Sequence, residues 1–574
     1  MSEFNLIEKP WISVVTDYKG TTDLVGLREF FENAHNYIAL AGDMPTQDFA
    51  VMRFLLAILH TVFSRYQADG QVYDEIKVND RMQQVEPVDM EDYEDYEDAL
   101  MQTWKDLWAA GKFPHIVIDY LKEWEDRFNL FHDKYPFYQV TEDVMKRLKL
   151  RNQRGPTEQP GFMSFKTINR LISEIKDNTS IFSMISGEDE VSLKSGLSND
   201  KLARWIINLM GYTTSPDKTK ITSFDRINSI GKYDGHKGWL YAIGGLHYKT
   251  DNLFNTLLLN LILVHPNDKF RYNIQTPLWE FSPKENIEYY LEENSIDNLA
   301  RLYTDYSRAI KISKEENEYG KYIDIIQLPI LDKKENLLEC MTIWEKNKKN
   351  EKVFSPKENA PHESMWRNFG MIYLKEKSND DLYRIPGIVE WIRVISKYIN
   401  LSKVELISLG IKSDGTSSNI MINEIYDELN LNFDISLDCS EQGWVIRVRD
   451  VVEQTKEFIN KDYKKFIDVV VELEGVDSKK RSDRIKYYLE EIYYKIDKPF
   501  RDWLSSIRIG DNKDEKTKEW IERLKKIILN EVEAITNNLS NKFFTGVVVE
   551  GKNIKIYKNI ATSINELISA INIL

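Results

Sequence analysis

His132 and Asp133 stand side by side in FNLFHDKYPFYQV, residues 128–140. A neighbouring imidazole and carboxylate can ligate a hydrolytic metal, but such a centre needs further His and Asp ligands at fixed places. The chain has 8 scattered histidines and no HExxH. A helix end followed by a turn before a buried Pro136-Phe137 is the simpler reading. A metal-dependent nuclease built on His132 and Asp133 stays as an alternative. Cys340 and Cys439 are the two cysteines, too few for a disulfide framework or a cysteine-rich zinc site, and in keeping with a reducing cytoplasm. GxSxG, Cys–His and P-loop patterns are missing. With 92 acidic residues, isolated carboxylate pairs carry no information. The weight moves from catalysis toward binding, and no cofactor is implied.

Three stretches have binding chemistry. SIGKYDGHKGWLYAIGG (229–245) holds five of the 25 glycines and leads into the apolar NLFNTLLLNLILV. Exposed backbone N–H groups in such a loop can approach a phosphate, and Lys232, His236 and Lys237 beside Gly231 would assist. The spacing is neither GxxxxGK[ST] nor GxGxxG. Tight turns alone explain the glycines about equally well. The second stretch, 315–357, is lysine-rich, including Lys333-Lys334 and KNKKNEK at 346–352; most of these lysines read as solvated surface. The third is GIKSDGTSS (410–418), between the apolar, β-branched runs VELIS and NIMINEI. Asp414-Gly415 is a two-residue hairpin signal, because both turn positions want φ > 0.

These residues need a large scaffold, and 574 residues with 42% apolar and 12% aromatic content supply one. Short strands and a helix are expected from FNLIEKPWISV and TTDLVGLREFF, then helices over 46–66, 100–131 and 201–211. The acidic run EPVDMEDYEDYED (86–98) reads as a solvated loop or helix start. After about residue 440, three amphipathic stretches (444–474, 480–508, 514–540) and a helix-like end (558–574) suggest an antiparallel four-helix bundle. VVVEG (547–551) fits a short strand or an extended link. The N-terminus shows no signal-peptide pattern. The longest apolar run, Leu257–Val264, is interrupted by Asn260 and too short for a bilayer. A soluble, cytoplasmic protein is expected. The net charge of −15 argues against a free-standing nucleic-acid binder but leaves room for a basic patch within a larger assembly.

Several segments, in order, resemble one family: the large subunit of the type I-E CRISPR surveillance complex Cascade, the CasA family. They are FNLIEKPWISV, FNLFHDKYPFYQV, GWLYAIGG with NLFNTLLLNLIL, TPLWE (276–280), LARLYTDYSRAI (299–310), and MTIWEK with MWRNF. The resemblance covers nearly the whole chain. It implies an α+β protein: a large mixed α/β N-terminal domain, 1–438, and a C-terminal four-helix bundle, 439–574. It also implies a non-catalytic role, with the backbone and small subunits of the complex, the guide RNA 5′ end, target double-stranded DNA and a helicase–nuclease as partners. Guide pairing reads the target, while protein reads the short flanking motif, the PAM.

By that resemblance, GIKSDGTSS falls where the family inserts a hairpin into the duplex as a wedge. SIGKYDGHKG falls at a glycine loop near the PAM, and Lys333 or Lys334 near a lysine that contacts it from the minor groove. Lys412 would hold a phosphate beside Ser413. The tip departs from the family's pattern of glutamine flanked by asparagine and alanine: Asp414, Gly415 and Thr416 stand there instead. Asp414 would accept from a guanine amino group, or only close the turn, leaving backbone bulk with Thr416 or Ser417 as the wedge. Phe182, in SIFSMISGEDEVSLKSG, is the stacking candidate for the guide RNA 5′ end, or a core residue. A scaffold that never touches DNA is the remaining reading.

Overall fold

The computed structural model describes residues 4–151, 158–160, 166–167, 198–213, 219–231, 233–235, 237–292, 295–317, 320–329, 337–347, 350–375, 383–413, 421–537, 539–550 and 555–574. The fold mixes helices with small sheets. Two compact units emerge. The first comprises Met1–Pro361, Glu376–Ile399 and Leu406–Asp427; the second comprises His362–Lys375, Asn400–Glu405 and Glu428–Leu574. The boundary expected at 438/439 lies inside the second unit.

The first unit is organised around helix α1 (Pro45–Phe63). Pro45 opens it, where a missing N–H costs nothing. Nearly every later residue of α1 is buried, as expected of a helix that is apolar all round. It is the one helix among the described residues long and apolar enough to cross a membrane, and 94% of its apolar window is buried inside the protein. Helix α2 (Asn199–Tyr212) packs on it. Two arginines, Arg53 within α1 and Arg65 just past its end, are neutralised in place: Arg53 pairs with Glu339 at 2.7 Å and Arg65 with Glu280 at 2.6 Å.

The helix expected over 100–131 is two, Tyr93–Ala110 and Ile116–Glu123. Gly111, at φ +67°, terminates the first in the left-handed conformation that glycine adopts cheaply, and Pro114 follows. The apolar run after the glycine-rich segment is likewise helical only over α3 (Leu253–Asn260). Asn260 ends it: its side chain donates to Tyr248 O at 2.7 Å and accepts from Tyr248 N at 3.0 Å, which satisfies a polar group inside an apolar run.

One three-stranded sheet carries the two strands that flank the tip of the GIKSDGTSS stretch. Its strands are β1 (Gly245–Lys249), β2 (Lys403–Ser413) and β3 (Met421–Asn432), with β2 in the centre. Apolar β-branched residues flank the polar tip, as hairpin strands require; residues 414–420 lie outside the described residues.

In the second unit, α4 (Trp444–Phe458) continues through a π-helical turn, Ile459–Tyr463, into α5 (Lys464–Glu474). Then come α6 (Ser478–Ser506), α7 (Lys513–Asn537) and α8 (Ile560–Ile573). Helix α6 packs on α5 and α7, α4 on α7, and α5 on α8. Aromatic rings fill the interior: Phe500 stacks on Trp366 at 4.2 Å and meets Trp520 edge-on at 4.9 Å. The first four residues of VVVEG are strand: β4 (Val547–Glu550) pairs antiparallel with β5 (Lys555–Lys558).

Candidate nucleic-acid interface

The glycine-rich segment is held by two aromatic side chains. Tyr233 Oη donates to Gln327 O and accepts from Ile221 N, both at 2.8 Å. That fixes the segment to strands 220–223 and 320–327, which are sheet neighbours. Burial pushes the Tyr233 phenol well up, and Lys220 Nζ donates to its backbone oxygen. Trp239 Nε1 donates to Glu339 Oε2 at 2.6 Å. Burial alone would raise the Glu339 carboxyl; Arg53 overrides it and holds the group below its ordinary range.

Four of the five glycines answer to packing inside the protein. An added Cβ would stand 1.9 Å from Gln327 Oε1 at Gly235, 2.1 Å from Gly211 O at Gly238, 2.4 Å from Asn359 Oδ1 at Gly244, and 2.6 Å from Phe49 Cε1 at Gly245. Gly231 differs: it is exposed, sits at φ +66° and has nothing within 4 Å of a built Cβ. The open side of the segment is therefore its start. Lys237 is half-buried, its ammonium 5.0 Å from the Tyr241 ring centroid.

The segment and the hairpin share a sheet. Gly245 opens β1, and β1 lies beside β2, the strand that carries half-buried Lys412 and ends at Ser413. Asn359 reinforces the link. Its amide donates to Ser408 Oγ at 3.0 Å and to Leu409 O at 2.8 Å, while its side chain fills the space against Gly244 and Gly410. Asn359 carries no sequence signal, because its partners are distant in the chain. Lys232, His236, Lys333, Lys334, Asp414, Gly415, Thr416, Ser417 and Phe182 lie outside the described residues.

The hydrolytic alternatives fare differently. His132 Nδ1 accepts from Tyr135 N at 3.0 Å and Lys134 N at 3.2 Å, which closes the turn before half-buried Pro136 and buried Phe137. Exposed Asp133 pairs with Lys314 at 2.6 Å, and that bond lowers its carboxyl. Among the described residues, no three His, Cys, Asp or Glu side chains converge as a metal cluster. The fold does bring together a Cys–His contact that the sequence conceals: Cys340 Sγ lies 3.2 Å from His265 Nε2. Both residues are buried. Burial pushes the thiol up and the imidazole down, opposite to what a thiolate nucleophile needs.

A mixed helix-and-sheet fold of this layout has solved counterparts. Thermobifida fusca Cse1 superposes with a TM-score of 0.72 at 21% identity, covering 99% of this chain and 98% of that one. A chain of a CRISPR RNA-guided surveillance complex superposes at 0.64 and 14% identity, covering 100% of both. At these identities the likeness establishes the fold. The model of the CRISPR-associated protein Cse1 family matches residues 5–530, and the chain belongs to that family. The CRISPR-associated protein CasA/Cse1 of Thermus thermophilus is 31% identical over 143 residues, 25% of this chain and 22% of that relative's length.

Proposed function

We propose that this chain is the non-catalytic large subunit of an RNA-guided CRISPR surveillance complex in the prokaryotic cytoplasm. It reads the PAM of double-stranded DNA from the minor groove, wedges the duplex open to start R-loop formation, and recruits the helicase–nuclease. Its partners are the backbone and small subunits, the guide RNA 5′ end and the target DNA. The observation that carries this reading is family membership over residues 5–530, together with a hairpin strand that shares a sheet with the end of the glycine-rich segment. Lys412, Lys237, Lys232, Lys333 and Lys334 supply cations for phosphates and groove acceptors, with the Gly231 backbone and the His236 imidazole as further hydrogen-bonding groups. Ser413 to Ser417 form the wedge, with Asp414 accepting from a guanine amino group. Unstacking costs a few kcal/mol per step, which inserted bulk offsets. Phe182 stacks on the guide. Residues 439–574 act as a four-helix bundle against neighbouring subunits.

The test is target binding by the reconstituted RNA–protein complex, with and without this chain, against a randomised PAM library. Selectivity that appears only with the chain supports the reading; selectivity unchanged by omission reduces the chain to scaffold. Asp414→Ala with unaltered PAM preference would sink the guanine contact alone.

A further inference from the structure

Helix α1 begins without a side-chain cap of its own. Met44 precedes it, and its side chain caps nothing. The N–H groups of Gln47 and Asp48 bond to Met44 O, but that of Thr46, in the first turn, has no acceptor within the helix. Glu424 supplies one: its Oε1 accepts from Thr46 N at 2.7 Å, across 378 residues of sequence. The bond is charge-assisted, and a carboxylate at a helix N-terminus is also favoured by the helix dipole. Glu424 is half-buried on β3, four residues past the 414–420 segment that joins the hairpin strands. The acceptor thus comes from the tip-proximal end of the hairpin, and the donor from a helix of the first unit whose residues are nearly all buried.

We infer that Glu424 is the positioning residue of the hairpin: its bond to the Thr46 amide pins the return strand to α1 and sets where the tip is presented to the duplex. The inference rests on the function proposed above. Asn359 ties down the middle of β2, so without Glu424 the hairpin stays folded but its distal end is released.

Two readouts separate the pin from its use. The first is amide hydrogen exchange on the purified full chain. Glu424→Ala should exchange Thr46 and residues 421–426 at least about tenfold faster, with amides of 51–63 unchanged. Glu424→Gln, which keeps an oxygen for the same N–H, should recover most of the protection. Unchanged protection in Glu424→Ala, or loss spread equally through α1, overturns the inference. The second readout is discrimination between matched and mismatched PAM by the reconstituted complex. It should fall several-fold with Glu424→Ala and be restored by Glu424→Gln. If deleting 414–417 abolishes discrimination while Glu424→Ala frees the strand and leaves discrimination intact, the positioning role is wrong. If deleting 414–417 also changes nothing, the proposed function itself has failed.

Discussion

Gly231 and Gly238 separate two reasons for glycine within one segment. At Gly238 a methyl group would meet the Gly211 carbonyl oxygen at 2.1 Å, and backbone cannot give way as a side-chain tip can. Gly238→Ala should cost roughly 1–3 kcal/mol as overpacking. Gly231→Ala meets no atoms and pays only for its φ of +66°, about 1–2 kcal/mol. Urea unfolding of both variants checks the order. His60 is one source of pH dependence at this scale, alongside His247, which burial also pushes down to about 3. His60 is 2% exposed; burial first, then the His265 and Arg53 charges, push its imidazole down to about 3. The unfolded chain takes up a proton near pH 6.5 that the folded protein refuses. Stability is therefore intact above that pH and lost as pH falls from about 6.5 toward 3, by at most ~1.4 kcal/mol per pH unit. His60→Leu should flatten this acid limb in urea midpoints measured from pH 7 to 4; parallel slopes would exclude His60 as a source.

Between elements, the Arg53–Glu339 pair joins α1 to the segment before MTIWEK and accepts Trp239 from the glycine-rich segment. Desolvating two charges is repaid only by this geometry. Glu339→Gln, which strands the Arg53 cation, should cost about 3–5 kcal/mol, and the Arg53→Met/Glu339→Leu double variant considerably less. A denaturation double-mutant cycle measures the difference. In the second unit, Trp520 is fully buried, meets Phe500, and donates to Thr455 Oγ1 at 2.9 Å. Trp520→Ala should cost about 3–5 kcal/mol and lower the near-ultraviolet circular dichroism. A near-native melting temperature would show that the α4–α7 packing does not depend on it.

For the whole molecule, the proposed DNA binding must coexist with a net charge of −15. The cations have to be local, and their contribution depends on salt. Changing Lys232, Lys237, Lys333 and Lys412 together to Ala should abolish PAM selection by the assembled complex. The slope of log affinity against log salt should shrink by roughly one for each phosphate that is no longer neutralised. Filter binding at several salt concentrations distinguishes this from a scaffold, for which neither quantity moves.

The order of segments from FNLIEKPWISV to MWRNF, the amphipathic spacing after residue 440 and the apolar arms around Asp414-Gly415 were legible in the sequence, because each is a local pattern. They led to the family, to α4–α8 and to the strands β2 and β3. Helix ends were less legible: Gly111 splits one expected helix, and Asn260 ends another by bonding Tyr248. Which glycines serve packing, that Cys340 lies against His265, what closes on Arg53 and what caps α1 belonged to the tertiary structure alone. Arg53 and Glu339 are 286 residues apart, and Thr46 and Glu424 are 378 apart. Burial and partnership at such separations depend on where the chain returns, and no periodicity in the sequence encodes that.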